Sequence, residues 1–255
     1  MHPVLIEIGP FEIRFYGLMY ILALALSYFL LRSDLKRKGI EIDKEELLNL
    51  LTFTVLGGII GARIYYVIFN WDFYGKNLAD IPAIWKGGLA SHGGFIGGFI
   101  VAFFYLKKLK LPILKMADSI IPLVILGESF VRFGNFMNGE AHGVPTDLPW
   151  GIVFPETSIA GSQFPGIPIH PTMLYQMLYN LLAFFLIWFY LRKRDYKDGS
   201  ICFTGILIYS LGRFFIEALR ADSLYIGPFR TAQLMSIILA SVSLIMLLKI
   251  RPWVK

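Results

Sequence analysis

The sequence has little cysteine and little charge. Its single cysteine, Cys202, cannot form a disulfide bond within the chain or complete a CxxC metal or redox motif. Charged residues make up 16% of the 255 residues and hydrophobic residues 56%, which is outside the usual balance of soluble globular domains. These shortages exclude a disulfide-stabilised scaffold and predict a membrane protein.

Compact metal-binding motifs are also missing. His92, His142 and His170 are widely spaced, and none belongs to an HExxH helix, so we expect no metal site. The net charge of +6 comes from short Lys and Arg clusters between apolar stretches, without a basic face or an aromatic RNA-binding motif. We expect no nucleic-acid partner, and membrane topology explains the charge better.

Seven apolar stretches are long enough to span about 30 Å of hydrocarbon, which takes about 20 helical residues. They lie at about 15–31, 47–69, 89–106, 119–137, 172–191, 201–219 and 232–248. We therefore predict an all-α fold, a polytopic membrane helix bundle with seven transmembrane helices. A single integral membrane domain over residues 1–255 is expected, because no soluble domain or repeat interrupts the pattern.

The basic residues predict the orientation of this bundle. The connections after the first, third and fifth stretches, and the tail after the seventh, carry most of the Lys and Arg residues, as cytoplasmic segments do. The N-terminus is thus predicted outside and the C-terminus in the cytoplasm. The connection at about 138–171 contains no Lys or Arg and is rich in Gly and Pro. We predict that it forms a loop region at the outer face.

Three arginines and a histidine interrupt the apolar stretches. A charged side chain at mid-membrane costs about 2.5 to 3.5 kcal/mol, so Arg63, Arg132 and Arg213 require an explanation. At about 1.5 Å per residue, each lies about 8 to 9 Å inside the predicted outer boundary. His92 lies at a similar depth. The sequence therefore predicts a polar layer near the outer leaflet.

This layer is suited to an anionic lipid, because guanidinium groups bind phosphate through paired hydrogen bonds. Glu128 and Asn135 lie on nearly the same helix face as Arg132, and Glu217 follows Arg213 by one turn. A snorkelling or ion-paired structural role is the alternative, most of all for Arg63.

Glycines with small-xxx-small spacing occur in the second and third stretches. This spacing indicates close helix packing at Gly57, Gly58, Gly61, Gly93, Gly94, Gly97 and Gly98. Gly93 and Gly94 also follow His92 directly, where the backbone could approach a ligand.

Six segments together resemble the bacterial prolipoprotein diacylglyceryl transferases along the whole chain. They are RFYGLMY at 14–20, GGLASHGG at 87–94, Asp118, RFGNFMNGEAHG at 132–143, HPTMLY at 170–175 and YSLGRFFIE at 209–217. The chain differs from the usual family pattern at Val131, where the family has Gly, and at Met173 and Gln176, where it has Gln and Glu.

The resemblance implies an enzyme of the bacterial cytoplasmic (inner) membrane whose active site faces the outer leaflet. Such an enzyme transfers the diacylglyceryl group of phosphatidylglycerol to the lipobox cysteine thiol of a prolipoprotein. A thioether forms and glycerol phosphate leaves, in the first step of lipoprotein maturation. The implied partners are phosphatidylglycerol, the prolipoprotein signal peptide and membrane lipids, with no metal or cofactor.

The resemblance also implies the site residues. We expect catalytic roles for His92, Arg132, Glu140, Tyr209 and Arg213. The expected substrate-binding residues are Tyr16, Gly93, Gly94, Arg132, Asn135, Asn138, Gly143 and Arg213. His92 or Glu140 is the candidate base that deprotonates the substrate thiol, and the field of the arginines favours both the thiolate and the leaving phosphate.

Two functions of other classes also fit a layer of arginines. An anion or lipid transporter should carry polar groups into the cytoplasmic half or have broken helices at the midplane, whereas the inner halves here are mainly apolar. A noncatalytic lipid-binding scaffold explains the arginines but not His92 and Tyr209 beside them.

Overall fold

The computed structural model describes residues 3–9 and 11–251, and these residues are mostly helical. The α-helices are α1 (Phe15–Arg37), α2 (Lys44–Phe69), α3 (Trp71–Tyr74), α4 (Ser91–Lys108), α5 (Ile113–Asn138), α6 (Ile159–Gln163), α7 (Thr172–Phe185), α8 (Ser200–Glu217) and α9 (Thr231–Ile250). A π-helical segment, Leu186–Tyr190, and a 3-10 turn, Leu191–Lys193, continue α7. Two further 3-10 turns, Leu78–Asp80 and Ile84–Lys86, precede α4.

Two short antiparallel hairpins accompany the helices. Strand β1 (Val4–Ile8) pairs with β2 (Phe11–Arg14) before α1, and β3 (Tyr225–Ile226) pairs with β4 (Phe229–Arg230) before α9. Gly227 has a φ of +58° in the second hairpin, as the first central position of a type II′ turn requires. The sequence pattern did not predict either hairpin.

Five helices in the described part of the chain are long and apolar enough to cross a membrane. They are Phe15–Arg37, Lys44–Phe69, Thr172–Lys193, Ser200–Glu217 and Thr231–Ile250. They coincide with five predicted spans, so the chain has the features of a polytopic helical membrane protein. The other two predicted spans correspond to α4 and α5, which are helices with more polar residues, including His92 in α4 and Asp118 in α5. The number of seven spans stays a prediction.

The chain divides into two compact units, residues 32–116 and residues 1–31 with 117–255. In the first of these, α2 packs against α4 through facing glycines. A Cβ atom added to Gly97 would lie 2.3 Å from the carbonyl oxygen of Gly57, and one added to Gly61 would lie 2.4 Å from that of Gly93. Backbones can approach this closely only without side chains, so the close packing predicted from the small-xxx-small spacing is confirmed.

The other unit has two clusters of buried apolar residues. One cluster joins α5, α7 and α8 at Ile125, Ala183, Ile187 and Ile201. The second lies under the connection between α5 and α7 and includes Phe154 and Ile169. Ile169 also pairs with Ile152 through two backbone hydrogen bonds of 3.0 Å. The connection predicted as a loop is therefore a folded segment with a core of its own.

Asp118 fixes the beginning of α8 from the neighbouring helix α5. Its carboxylate is buried and accepts hydrogen bonds of 2.7 Å from the backbone N–H groups of Gly199 and Cys202. The first N–H groups of a helix lack partners within the helix, and negative charge is favourable there. Asp118 thus supplies the cap that no local side chain provides for α8.

Replacing Asp118 with alanine is expected to lower the free energy of unfolding by about 3 kcal/mol, because two buried N–H groups lose a charged acceptor. Asp118→Asn keeps one carbonyl oxygen, so a smaller loss is expected. Thermal unfolding in detergent, followed by circular dichroism, measures both effects. Unfolding of Asp118→Ala at the temperature of the unsubstituted protein would contradict the capping role.

Candidate functional site

Arg132 lies at the centre of a hydrogen-bonded group on α5. Its Nη1 donates to Asn135 Oδ1 at 3.0 Å, and its Nη2 donates to Glu128 Oε2 at 3.1 Å. Both partners are one turn away, as their sequence spacing predicts. Among the residues that the structure describes, nothing accepts a hydrogen bond from the buried Nε of Arg132. This guanidinium group is therefore fixed at two nitrogens and has a donor left for a ligand.

The end of α5 turns Glu140 back toward the same group. Gly139 has a φ of +63° and donates its N–H to the carbonyl of Phe136, while the N–H of Glu140 donates to the carbonyl of Asn135. These two bonds form a Schellman cap, which requires a residue such as Gly in the left-handed region. Glu140 Oε1 then accepts from the side-chain amides of Asn135 at 3.0 Å and Asn138 at 3.1 Å.

Helix α8 contributes Tyr209 and Arg213. The Tyr209 hydroxyl interacts with Arg132, and both Glu128 and Arg213 act on it electrostatically. Arg213 Nη2 lies 2.7 Å from Glu217 Oε2, as an ion pair without hydrogen-bond geometry. The guanidinium groups of Arg213 and Arg132 are close enough to repel each other electrostatically. The structure therefore brings Arg132, Tyr209 and Arg213 together between α5 and α8.

Tyr16 on α1 completes this group. The charges of Arg132 and Glu140 are close enough to act on the Tyr16 hydroxyl. This hydroxyl is 3.4 Å from that of Tyr20. Gly134 permits the approach of α5 to α1, since a Cβ atom at this position would lie 2.9 Å from the Tyr16 ring. Seven predicted residues of the unit formed by residues 1–31 and 117–255 are thus linked to one another: Tyr16, Arg132, Asn135, Asn138, Glu140, Tyr209 and Arg213.

A second charged group follows the end of α8. Arg220 forms two hydrogen bonds of 2.9 Å with the carboxylate of Asp222, and Arg230 donates to the carbonyl of Glu217. Burial alone would raise the pKa of Asp222, but the paired bonds and the charge of Arg220 outweigh burial and hold this pKa below its usual range. The stabilisation of the fold by the ionised Asp222 carboxylate is lost as the pH falls through this lowered pKa.

The remaining predicted residue of this unit with a defined contact is Gly143. Its N–H donates to the carbonyl of His170, and a Cβ atom added to it would lie 2.6 Å from the Cβ of His170. The structure thus gives Gly143 a packing role between the connection and the end of α8. A role for Gly143 in substrate binding stays a prediction.

The unit of residues 32–116 contains three further predicted site residues at the start of α4, which are His92, Gly93 and Gly94. The ring of His92 stacks near that of Tyr65, with 6.1 Å between the centroids. Gly93 and Gly94 both face α2, with the tighter contact at Gly93. The packing interpretation therefore applies to both glycines, and their role in substrate binding stays a prediction.

Arg63 binds backbone carbonyl groups within this unit. Its three guanidinium nitrogens donate to the carbonyls of Asp80, Ile81, Gly87 and Gly88 at distances from 2.6 to 2.9 Å. All four acceptors lie in the segment before α4. The structural alternative considered for Arg63 therefore accounts for its buried charge.

Arg63→Lys is expected to loosen this segment, because an ammonium group cannot reach four carbonyls at once. Losing charged hydrogen bonds of about 1.5 to 3 kcal/mol each should raise amide hydrogen exchange at residues 78–90 about tenfold or more. Mass spectrometry of exchanged peptides measures this, with the interior of α4 at 98–106 as the internal control. Unchanged exchange at 78–90 would show that other contacts hold the segment.

Several contacts of this site have no signal in the sequence. Nε2 of the buried His142 lies 2.8 Å from Gln163 Oε1, and Trp150 Nε1 donates to the Tyr175 hydroxyl, which is 3.2 Å from His170 Nδ1. These partners are far apart along the chain or lie in the irregular connection, where periodicity does not operate. Within residues 3–9 and 11–251, no group of three His, Cys, Asp or Glu side chains could hold a metal ion.

Comparison with known proteins places this site in a family. The family model described as prolipoprotein diacylglyceryl transferase matches residues 3–249. A protein of Fusobacterium nucleatum named phosphatidylglycerol--prolipoprotein diacylglyceryl transferase is 38% identical over 98% of this chain and 98% of its own length. Proteins of the same name from Clostridioides difficile and Synechococcus elongatus are 40% and 41% identical, covering 89% and 92% of this chain and 86% and 83% of their own lengths. The chain therefore belongs to the prolipoprotein diacylglyceryl transferase family.

Proposed function

We propose that this chain is a transferase that moves the diacylglyceryl group of phosphatidylglycerol to the lipobox cysteine thiol of a prolipoprotein. Family membership supports the reaction, and the names of the relatives supply its two substrates. The observation that carries the proposal is the meeting of Arg132, Arg213 and Tyr209 between two apolar helices. Two permanent cations in such a place fit an anionic headgroup better than any neutral substrate.

The phosphate of the lipid is bound by the arginines in this proposal. Arg132 offers its Nε–H group, and Arg213 adds a second positive charge close by. Asn135 and Tyr16 orient the headgroup beside them. Cations fixed in advance stabilise the charge that develops on a departing phosphate without having to reorganise during the reaction.

The chemical step is a substitution at carbon. The substrate thiol gives its proton to a base. The thiolate then attacks the carbon of the diacylglyceryl unit that is bonded to the phosphate oxygen. A sulfur–carbon bond forms, the carbon–oxygen bond breaks, and glycerol phosphate leaves with that oxygen. The nucleophile is thus supplied by the prolipoprotein, which fits a chain whose Cys202 lies buried near the beginning of α8.

The base in this proposal is Glu140 or His92. Glu140 is held by two amide donors on one oxygen, Oε1, so its other oxygen can take a proton. His92 is the other candidate, because an imidazole is the side chain that most often acts as a general base in enzymes. Separate Glu140→Gln and His92→Gln variants distinguish the two candidates. Removal of the base should lower kcat strongly and change KM much less.

The proposal includes a location and a topology. The chain is a multi-pass protein of the bacterial cytoplasmic membrane, with seven spans in one integral domain, the N-terminus outside and the C-terminus in the cytoplasm. The Lys and Arg residues of the connections support this orientation. The site then faces the outer leaflet, and the connection at about 138–171 lies on the same side.

The deciding experiment combines the purified protein with phosphatidylglycerol and a lipobox peptide. Mass spectrometry should detect the peptide with diacylglyceryl attached to its cysteine. A peptide with serine in place of that cysteine is the control, and it should remain unmodified. Absence of product from the cysteine peptide, with a related transferase active in the same assay, would refute the proposed function.

A further inference from the structure

Glu128 is a carboxylate within the proposed site that the mechanism above does not use. Its side chain is 13% exposed, and that of its partner Arg132 is 16% exposed. Glu128 also acts electrostatically on Tyr209, so its charge lies near the group that joins α5 and α8. A carboxylate beside the proposed phosphate-binding arginine opposes an incoming anion, and its presence therefore needs a reason.

The hydrogen bonds of Arg132 give that reason. A guanidinium group is planar, with its donors in fixed directions, so two bonds on different nitrogens define its orientation. Asn135 holds Nη1 and Glu128 holds Nη2, while Nε lacks an acceptor in the described part of the chain. Asn135 is itself held by Glu140. Glu128 is therefore the second of two supports that determine where the Nε–H bond points.

We propose that Glu128 is a positioning residue, which holds the plane of Arg132 so that Nε–H faces the phosphate of the lipid. This inference rests on the proposed function. Glu128 acts through Arg132 and does not itself touch the substrate. Its charge also offsets part of the repulsion between Arg132 and Arg213 while no phosphate is bound.

Kinetics of three variants test this role. Glu128→Ala removes the support, and kcat should fall about tenfold or more while KM for phosphatidylglycerol changes less than about threefold, because misplaced groups mainly affect the transition state. Glu128→Gln retains a carbonyl oxygen for Nη2, and its kcat should stay within about threefold of the unsubstituted protein. Glu156→Gln, at an exposed carboxylate in the connection, should leave both constants unchanged.

The outcomes separate positioning from charge and from folding. A loss in Glu128→Gln as large as that in Glu128→Ala would overturn the inference, because charge would then be the property that matters. Full kcat in Glu128→Ala would also overturn it. If Glu128→Ala does not fold, Glu128→Asp replaces it. The aspartate side chain is one methylene shorter and does not reach Nη2 of Arg132 in the same way, so this variant should show the same fall in kcat. Inactivity of the unsubstituted protein would instead refute the proposed function.

Discussion

Arg132→Ala is expected to reduce diacylglyceryl transfer by about 100-fold or more, because one preorganised donor to a developing negative charge is worth about that factor. Arg132→Lys keeps the charge but loses the planar set of donors, so a smaller but clear loss is expected. The rate of product formation with the lipobox peptide, followed by mass spectrometry, measures both variants.

Two controls make this result specific to the site. Arg14→Ala removes an exposed arginine that pairs with Glu12 at the surface, and it should retain full activity. Circular dichroism and thermal unfolding must show that Arg132→Ala is folded, because it leaves Glu128 without its ion pair. A folded Arg132→Ala protein with more than about a tenth of the normal rate would place the phosphate elsewhere.

Gly93→Ala is expected to destabilise the packing of α2 against α4 by about 3 kcal/mol or more, near the upper end for overpacked cores. The added Cβ would lie 2.3 Å from both the carbonyl oxygen of Gly61 and the Cβ of Tyr65, so the backbones must separate. Gly94→Ala is the matched control. Its Cβ would lie 3.6 Å from the nearest atom, which is an ordinary contact.

Thermal unfolding and the yield of folded protein in detergent measure this pair. Gly93→Ala should unfold well below the unsubstituted protein, and Gly94→Ala close to it. Equal stability of the two variants would contradict the packing described for α4. A Gly94→Ala protein that is stable but inactive would support the predicted role of this residue in substrate binding.

Local patterns made much of the helical structure predictable. Apolar runs of about 20 residues correspond to the five helices that can cross a membrane, and small-xxx-small spacing indicated the packing of α2 with α4. Contacts one turn apart, such as those from Arg132 to Glu128 and Asn135, follow from helix geometry. Each of these features depends on residues that are close in the sequence.

Contacts between distant residues were not predictable in the same way. Asp118 is about 80 residues from the helix that it caps, and no spacing rule connects them. The meeting of Arg132 with Tyr209 depends on how α5 and α8 pack, which a single sequence does not specify. The similar predicted depth of Arg63, Arg132 and Arg213 in the membrane suggested that they belong to one site. The structure gives Arg63 a different role, as a hydrogen-bond donor to backbone carbonyl groups.

The contacts of Arg63 have a consequence for acid tolerance. A guanidinium group stays protonated in proteins, and peptide carbonyls do not titrate, so all four bonds persist in acidic surroundings. Ion pairs with carboxylates weaken once the carboxylates are protonated. The segment that leads into His92 should therefore keep its shape at acidities that would disrupt a segment held by carboxylate ion pairs.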